Sequence, residues 1–498
     1  MIFPSVEEVA NLSENASVIP VYKTILADTE TPVSVWMKLY RNEKHSFLLE
    51  SVTGGDTVAR YSFIGGKPFL VFKAKGKEWE VSGSEARKGA GDPVAELRKI
   101  MSVYKPATVK GLPRFTGGAV GFMSYDSVRF REEIPDKNPK EDPLEDIVFA
   151  FYKDLIAFDN KEHRLLLISN IIITGNGSVK QGYREAQHAI EQMEAGMKTG
   201  VASPEVSIIP QGEPKSNFAR EQYAKAVERS KEYILAGDIF QVVLSQRFTI
   251  PVRVSDPFDL YRILRVVNPS PYMFYFRSGE PSVIGASPEM LVRVEDGVVH
   301  TRPIAGTRRR GRDDEADEEL IRELLADEKE RAEHVMLVDL GRNDTGRVSE
   351  YGSVKVEEMM HIEKYSHVMH IVSNVEGKLR KGCDAFDALF SCFPAGTLSG
   401  APKIRAMQII DELEPVKRGI YGGALGYIGF DGNMDTCIVI RTIVYNKGIA
   451  LVQSGAGIVA DSDPMREYQE TMDKAMALFT AIKRSAEITG SWSEAIVE

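Results

Sequence analysis

The order in which strand-like and helix-like segments follow one another constrains this chain most. Up to about residue 195 it is a succession of short apolar runs cut by Gly and Pro. Phe47–Ser51, Phe69–Ala74 and Leu165–Ile173 are examples, and such punctuated runs read as strands. Beyond that point the periods mix. Phe218, Tyr223, Val227, Ser230 and Ile234 recur at helical spacing and Gly237 closes the segment. Ile239–Ile250 then mostly alternates, with Phe240, Val242, Leu244, Phe248 and Ile250 on one face and Gln241, Ser245 and Arg247 on the other, as expected of a half-buried strand with a polar face. Helices are expected over Asp313–Leu325, Glu328–Leu340 and Pro464–Ile482, the last capped by Asp463 with Pro464 in the first turn. Strand and helix do not alternate regularly enough for a doubly wound sheet. The expectation is an α+β fold of large, mostly antiparallel sheets packed together, with helices on the outside. Residues 198–216, rich in Pro, Gly and Ser, read as a linker between an N-terminal region (1–197) and a larger C-terminal region (217–498).

Composition narrows the function. The 62 Lys+Arg against 72 Asp+Glu leave a net charge of −10, which argues against a nucleic-acid binder. The three cysteines, Cys383, Cys392 and Cys437, match no zinc or redox spacing and suit a reducing compartment. No apolar run reaches the length of a membrane span, and the acidic start lacks the features of a signal peptide. A cytoplasmic protein is expected, without membrane or nucleic-acid partners.

Several side chains stand out chemically. Arg441 lies in the apolar run Cys437–Tyr445, read as one strand. A guanidinium there needs an anion, either a structural carboxylate or a ligand's. Gln453-Ser-Gly-Ala-Gly457 follows the run Ile449–Val452 and suits a tight turn or an anion-binding nest. The glycines of Gly422–Gly429 lead into a hairpin turn at Asp431-Gly432 rather than a helix, which excludes a dinucleotide-binding reading. Glu333 and Glu470 sit on helices, Glu470 away from the stripe Met465, Tyr468, Met472, Met476 and Phe479. They are either solvated carboxylates or two oxygen ligands for magnesium. His367 and His370 fall on opposite faces of a strand, so they do not form a joint metal site. His370 is a core histidine or an acid–base group.

Five segments occur in one order: Ile284-Gly-Ala-Ser-Pro-Glu-Met-Leu291, Arg302-Pro-Ile-Ala-Gly-Thr307, Asp339-Leu-Gly-Arg-Asn-Asp344, Phe393-Pro-Ala-Gly-Thr-Leu-Ser-Gly-Ala-Pro-Lys403 and Ser454-Gly-Ala-Gly457. Together they resemble the chorismate-utilising enzymes, most closely the large component of the anthranilate synthases, over nearly the whole chain. The resemblance implies that ammonia adds to C2 of chorismate, the C4 hydroxyl leaves and pyruvate is eliminated, with magnesium required. It implies Glu333 and Glu470 as magnesium ligands. Gly306, Thr307, Tyr421, Arg441, Gly455, Ala456 and Gly457 are implied as chorismate contacts. Glu289 is implied as the acid for the C4 hydroxyl, and His370 as a participant in pyruvate elimination. A dicarboxylate substrate does need a cation, a guanidinium and backbone donors together.

Two positions separate branches of the family. The isochorismate and salicylate synthases carry a water-activating lysine where this chain has Gln241, which is no base at neutral pH. The 4-amino-4-deoxychorismate synthases, the alternative reading, carry a lysine where this chain has Ala305. Both differences favour the anthranilate branch. The resemblance further implies a regulatory role for residues 1–197, with feedback tryptophan held by Ser51, Pro271, Tyr272 and Met273. It also implies ammonia delivered by a separate glutaminase subunit in a hetero-oligomer.

Overall fold

The computed structural model describes residues 1–52, 60–173, 177–200, 206–364 and 368–488, with side chains to residue 483. His367 lies outside these. Two sheets dominate, of 13 and 12 strands, and every pairing between named strands is antiparallel. One hydrophobic cluster draws on both sheets, with Phe47, Phe63, Phe274 and Val444 from the larger and Phe122, Tyr152, Tyr427 and Cys437 from the smaller. The other two large clusters cover the outer faces. The larger sheet packs against helices Pro32–Leu39, Val179–Met197, Phe258–Val267 and Pro464–Ile488, and the smaller against Pro93–Ser102 and Ala385–Cys392. Sheet on sheet with helices outside is the expected α+β architecture.

Strands from both halves of the chain are interleaved. In the larger sheet His45–Glu50 pairs with Tyr272–Ser278, and in the smaller Gly118–Met123 pairs with Ala424–Gly429. Within 198–216, Ile208–Pro210 and Lys215–Ser216 both pair with the long strand Gln241–Val254.

That long strand departs from its expected half-polar character. Apart from Phe240, which precedes it and is exposed, both its faces are largely buried. The polar face can be buried because each side chain finds a partner. Ser245 donates to Glu414 (2.9 Å) and Arg247 donates to Glu141 (3.2 Å), while on the apolar face Gln246 donates to Thr471 (2.6 Å). The stripe expected on the last helix is likewise shifted. Thr471, Ala475, Leu478, Phe479 and Ile482 are buried, whereas Met465 and Met476 are exposed.

An enclosed ion pair fixes the elements around the site. Arg418 and Glu414 are 3% and 4% exposed, with Nη2 2.6 Å from Oε1. Arg418 also donates to the carbonyls of Leu398 and Val243, and Glu414 accepts from the Ser245 amide. Removing one partner leaves the other charged and dry. Arg418→Met is expected to cost about 3–5 kcal/mol, read as an earlier denaturant midpoint. An unchanged midpoint would show that the pair carries no weight.

Candidate active site

The site forms where two neighbouring strands leave one sheet for the other. Ser282–Ser287 belongs to the larger sheet and Met290–Glu295 to the smaller, so the chain crosses at Pro288-Glu289. Beside it, Met434–Ile438 of the smaller sheet passes to Thr442–Asn446 of the larger through Val439-Ile440-Arg441. The crossings are held together by Ile438 N donating to Glu289 O (3.0 Å) and Ala286 N to Arg441 O (3.2 Å). The single strand expected over Cys437–Tyr445 is therefore two strands, and Arg441 is their corner. Its φ of 49° lies in the left-handed region, a strained setting for a non-glycine residue that a firm surrounding must impose.

Arg441 keeps accessible surface while protein crowds its remaining sides, and this desolvation lowers its pKa against the raising influence of Glu289. Glu289 faces a recess shared with Thr301, Arg302, Asp344 and Thr397. Burial pushes its carboxyl up to about 7, opposed by the Thr397 hydrogen bond and by Arg441 and Lys474. Thr397 Oγ1 donates to Oε1 of the ionised carboxylate (2.9 Å).

His370 lies on Val368–Lys378, opposite Thr307 of the strand Ile304–Arg309. The pairing is irregular between Ala305 and Thr307, and Gly306 takes φ 65°. This bulge brings the Gly306 carbonyl to His370 Nδ1 (3.1 Å), with the Thr307 hydroxyl also at 3.1 Å. A carbonyl only accepts, so the proton is on Nδ1 and Nε2 carries the lone pair. Burial lowers the imidazole pKa, the Gly306 bond opposes this and Arg441 adds to it, which favours the neutral ring.

The segment Ser454–Gly457 is neither a turn nor a nest. It continues the strand Ile449–Ile458, with Gly455 opposite Ser245 and Gly457 opposite Val243. Its glycines instead permit close approach. A Cβ on Gly455 would sit 2.8 Å from Tyr421 Oη and one on Gly457 2.8 Å from Gln241 Nε2. Ala456, between them, is fully buried.

Asp463 caps the last helix by accepting from the Met465 and Arg466 amides, which sets the turn carrying Glu470. Lys474, one turn on, pairs with Glu470 (2.7 Å) and donates to the Gly455 carbonyl (3.1 Å). Glu333, on the helix Glu328–Gly346, has its carboxyl raised by desolvation first, then by Glu330 and Glu470, against Lys329 and Lys474. Glu467 is raised by burial and also by Glu470. The two glutamates thus share one field although about 140 residues separate them in sequence. Among the described residues no set of three or more His, Cys, Asp or Glu side chains forms a full metal site. A pair of mutually repelling carboxylates is nevertheless a donor set that fits magnesium, which keeps several waters and takes one or two protein carboxylates.

Sequence reasoning did not assign Thr397, although it stands inside the Phe393–Lys403 segment, nor a role for Lys474. The i, i+4 spacing of Glu470 and Lys474 was a usable signal for the second.

The four residues expected to hold an inhibitor, Ser51, Pro271, Tyr272 and Met273, line a second recess with Leu49, Arg114, Arg293, Tyr427, Asp435 and Cys437. The antiparallel pairing of Met273 with Glu50 brings Ser51 alongside Pro271-Tyr272. Asp435 accepts there from Tyr272 (3.1 Å) and Arg293 (3.0 Å).

The chain belongs to the chorismate binding enzymes, whose family model matches residues 44–480. It is 49% identical to anthranilate synthase component 1 of Acetivibrio thermocellus, over 98% of this chain and 100% of that one. It is 47% identical to the component 1 of Aquifex aeolicus, over 97% and 98%. Among solved structures, anthranilate synthase component I from Streptococcus pneumoniae superposes with a TM-score of 0.75 at 37% identity, covering 91% of this chain and 98% of that one. The menaquinone-specific isochorismate synthase of Escherichia coli shares the fold, with a TM-score of 0.69 at 18% identity over 96% and 98%.

Proposed function

We propose that this chain converts chorismate and ammonia to anthranilate and pyruvate, the opening step of tryptophan synthesis, as the synthase component of a two-component enzyme. The observation that carries the reading is the crossing of two adjacent strands, which brings Arg441 close enough to Glu289 for each to shift the other's titration. Gln241 and Ala305 provide no lysine for water activation or for covalent attack.

Arg441 holds a carboxylate of chorismate by its two-pronged donor geometry. Tyr421, Gly306, Thr307 and the strand Gly455–Gly457 surround the ring. Glu289, kept protonated near neutral pH, gives its proton to the departing C4 hydroxyl as ammonia attacks C2. His370 accepts a proton through Nε2 as pyruvate leaves. Glu333 and Glu470 are the residues to hold magnesium. When bound, the ion supplies positive charge that neutralises and orients a substrate carboxylate.

The chain contains no glutaminase nucleophile context, so a partner glutaminase supplies ammonia in the cell. The testing experiment is incubation of the purified chain with chorismate, magnesium chloride and ammonium chloride. Equal amounts of anthranilate and pyruvate are expected, and none with glutamine as sole nitrogen source. A product that retains the pyruvyl group overturns the reading.

Feedback by tryptophan acts through the second recess. Strands on its wall end in the catalytic corners, since Tyr272 pairs with Ser287, two residues before Glu289, and Asp435 and Cys437 lie on the strand that turns at Arg441. A ligand that binds one wall arrangement better shifts the catalytic corners with it. Ser51→Phe is expected to raise the half-inhibitory tryptophan concentration about tenfold or more, with uninhibited turnover little changed. Inhibition curves check this, and unaltered inhibition would remove Ser51 from the site.

A further inference from the structure

Arg308 follows the bulge at Gly306-Thr307 and takes part in none of the steps proposed above. Its guanidinium makes four hydrogen bonds. Nε donates to Glu323 (3.1 Å), Nη2 to Asp327 (3.0 Å), and Nη1 both to Glu330 (3.1 Å) and to the Thr307 carbonyl (3.1 Å). The three carboxylates come from the end of the helix Asp314–Ala326 and the start of the helix Glu328–Gly346. Glu323 is the outermost, its side chain 62% exposed against 33% for Asp327 and 26% for Glu330.

Asp327 and Glu330 define the entry of the second helix. Asp327 caps it by accepting from the Lys329 (3.0 Å) and Glu330 (3.2 Å) amides, and Glu330 stands one turn before Glu333. The other oxygen of Glu330 reaches the bulge itself, since a Cβ on Gly306 would lie 3.2 Å from Oε2. Gly306 therefore admits this carboxylate as well as taking φ 65°. The bulge thereby touches both the helix of Glu333 and, through the Gly306 carbonyl, His370 Nδ1 (3.1 Å). Ion pairs as exposed as these add little to stability. What a planar fork with four bonds secures is the placement of the elements it joins.

We propose that Arg308 is a positioning residue that clamps this bulge to the first turn of the helix carrying Glu333, an inference that rests on the function proposed above. The clamp keeps the two halves of the reaction in register. On one half it holds the Gly306 carbonyl that orients the neutral His370 ring for pyruvate elimination. On the other it holds the helix turn that presents Glu333 to magnesium. Lysine is no substitute, because three donors on one nitrogen do not span two carboxylates and a carbonyl held in a plane. A loosened bulge leaves the first half of the reaction able to proceed and slows the second. The species formed by ammonia addition and loss of the C4 hydroxyl then leaves the site with its pyruvyl group still attached.

The test compares the full-length parent with Arg308→Gln, Arg308→Lys and Glu323→Ala. The first readout needs no turnover: manganese(II) is titrated into each chain and followed by the spin-resonance signal of the free ion, with Glu470→Gln as the blank for metal held elsewhere. The second is mass analysis of the products from chorismate, magnesium chloride and ammonium chloride. Arg308→Gln is expected to weaken manganese about ten- to hundredfold, the range for outlying partners of a metal site, and to release a pyruvyl-bearing product beside anthranilate. Arg308→Lys should fall between it and the parent, and decides the case if the Gln variant does not fold. Glu323→Ala, which removes only the outer arm, should match the parent in both readouts. Parent-like manganese binding in the Arg308 variants, or anthranilate as their sole product, overturns the clamp. Equal losses in Glu323→Ala also overturn it, by tracing the effect to the surrounding charges. A parent that makes no anthranilate overturns the proposed function, and the manganese titration then decides the clamp alone.

Discussion

Glu289→Gln is expected to lower anthranilate formation by about a hundred- to ten-thousandfold, the range typical of losing a positioned proton donor, with the chorismate KM little changed. Gln keeps the shape and the Thr397 contact but has no acidic proton. Hydroxide is a poor leaving group, so the step that expels the C4 oxygen bears the loss. The pH dependence follows from the same group. In the proposed reaction the protonated form is the active one, and burial holds the carboxyl at about 7, so parent activity limited by this acid falls as pH rises through 7. The variant loses that limb of the profile.

Stability follows the same group with the same sign in pH. The folded pKa of Glu289 lies above its ordinary value near 4.5, so its favourable contribution is complete at low pH and is lost as pH rises through about 7. Gln removes that penalty. The variant should therefore melt at or above the parent temperature at pH 8 while being far less active. Parent-like turnover in Glu289→Gln would mean that the proton comes from elsewhere.

The second large effect is expected from Glu470→Gln. Losing a carboxylate proposed to contact the ion should weaken the response to magnesium by more than the about ten- to hundredfold that outlying partners of a metal site cost. Turnover at ordinary magnesium concentrations should fall accordingly. The change also removes a like charge that raises Glu333, so the Glu333 carboxyl should titrate nearer its ordinary range. The check is initial rate against magnesium concentration for parent and variant. Superimposable curves would place the ion, or the need for it, away from Glu470.

The parts of this fold legible in the sequence were those set by local pattern. The Pro464 helix with its Asp463 cap, the helix beginning at Glu328 and the hairpin at Asp431-Gly432 all lie where residue type and spacing place them. What local pattern cannot reveal is an event that depends on two sheets at once. Cys437–Tyr445 reads as one strand because Ile438, Val439 and Ile440 are as apolar as their neighbours, and only the second sheet explains why the chain bends at Arg441. Ser454–Gly457 reads as a turn because its residues are small, yet their smallness makes room for Tyr421 and Gln241 in a regular strand. Ser245 and Arg247 read as a solvent face because their partners, Glu414 and Glu141, are 169 and 106 residues away in sequence. The expected site residues came from the resemblance of ordered segments, whereas the coupling of Glu333 to Glu470 is visible only in the fold.

Equilibrium binding of chorismate to the purified chain without ammonia, followed by titration calorimetry with and without magnesium, tests most directly whether these acids and Arg441 surround one substrate. Magnesium should tighten chorismate about tenfold or more, and chorismate should tighten magnesium by the same factor, as linkage requires. Both effects should collapse in Arg441→Gln and in Glu470→Gln. Chorismate binding that ignores magnesium, or that survives unchanged in Arg441→Gln, would contradict a shared site.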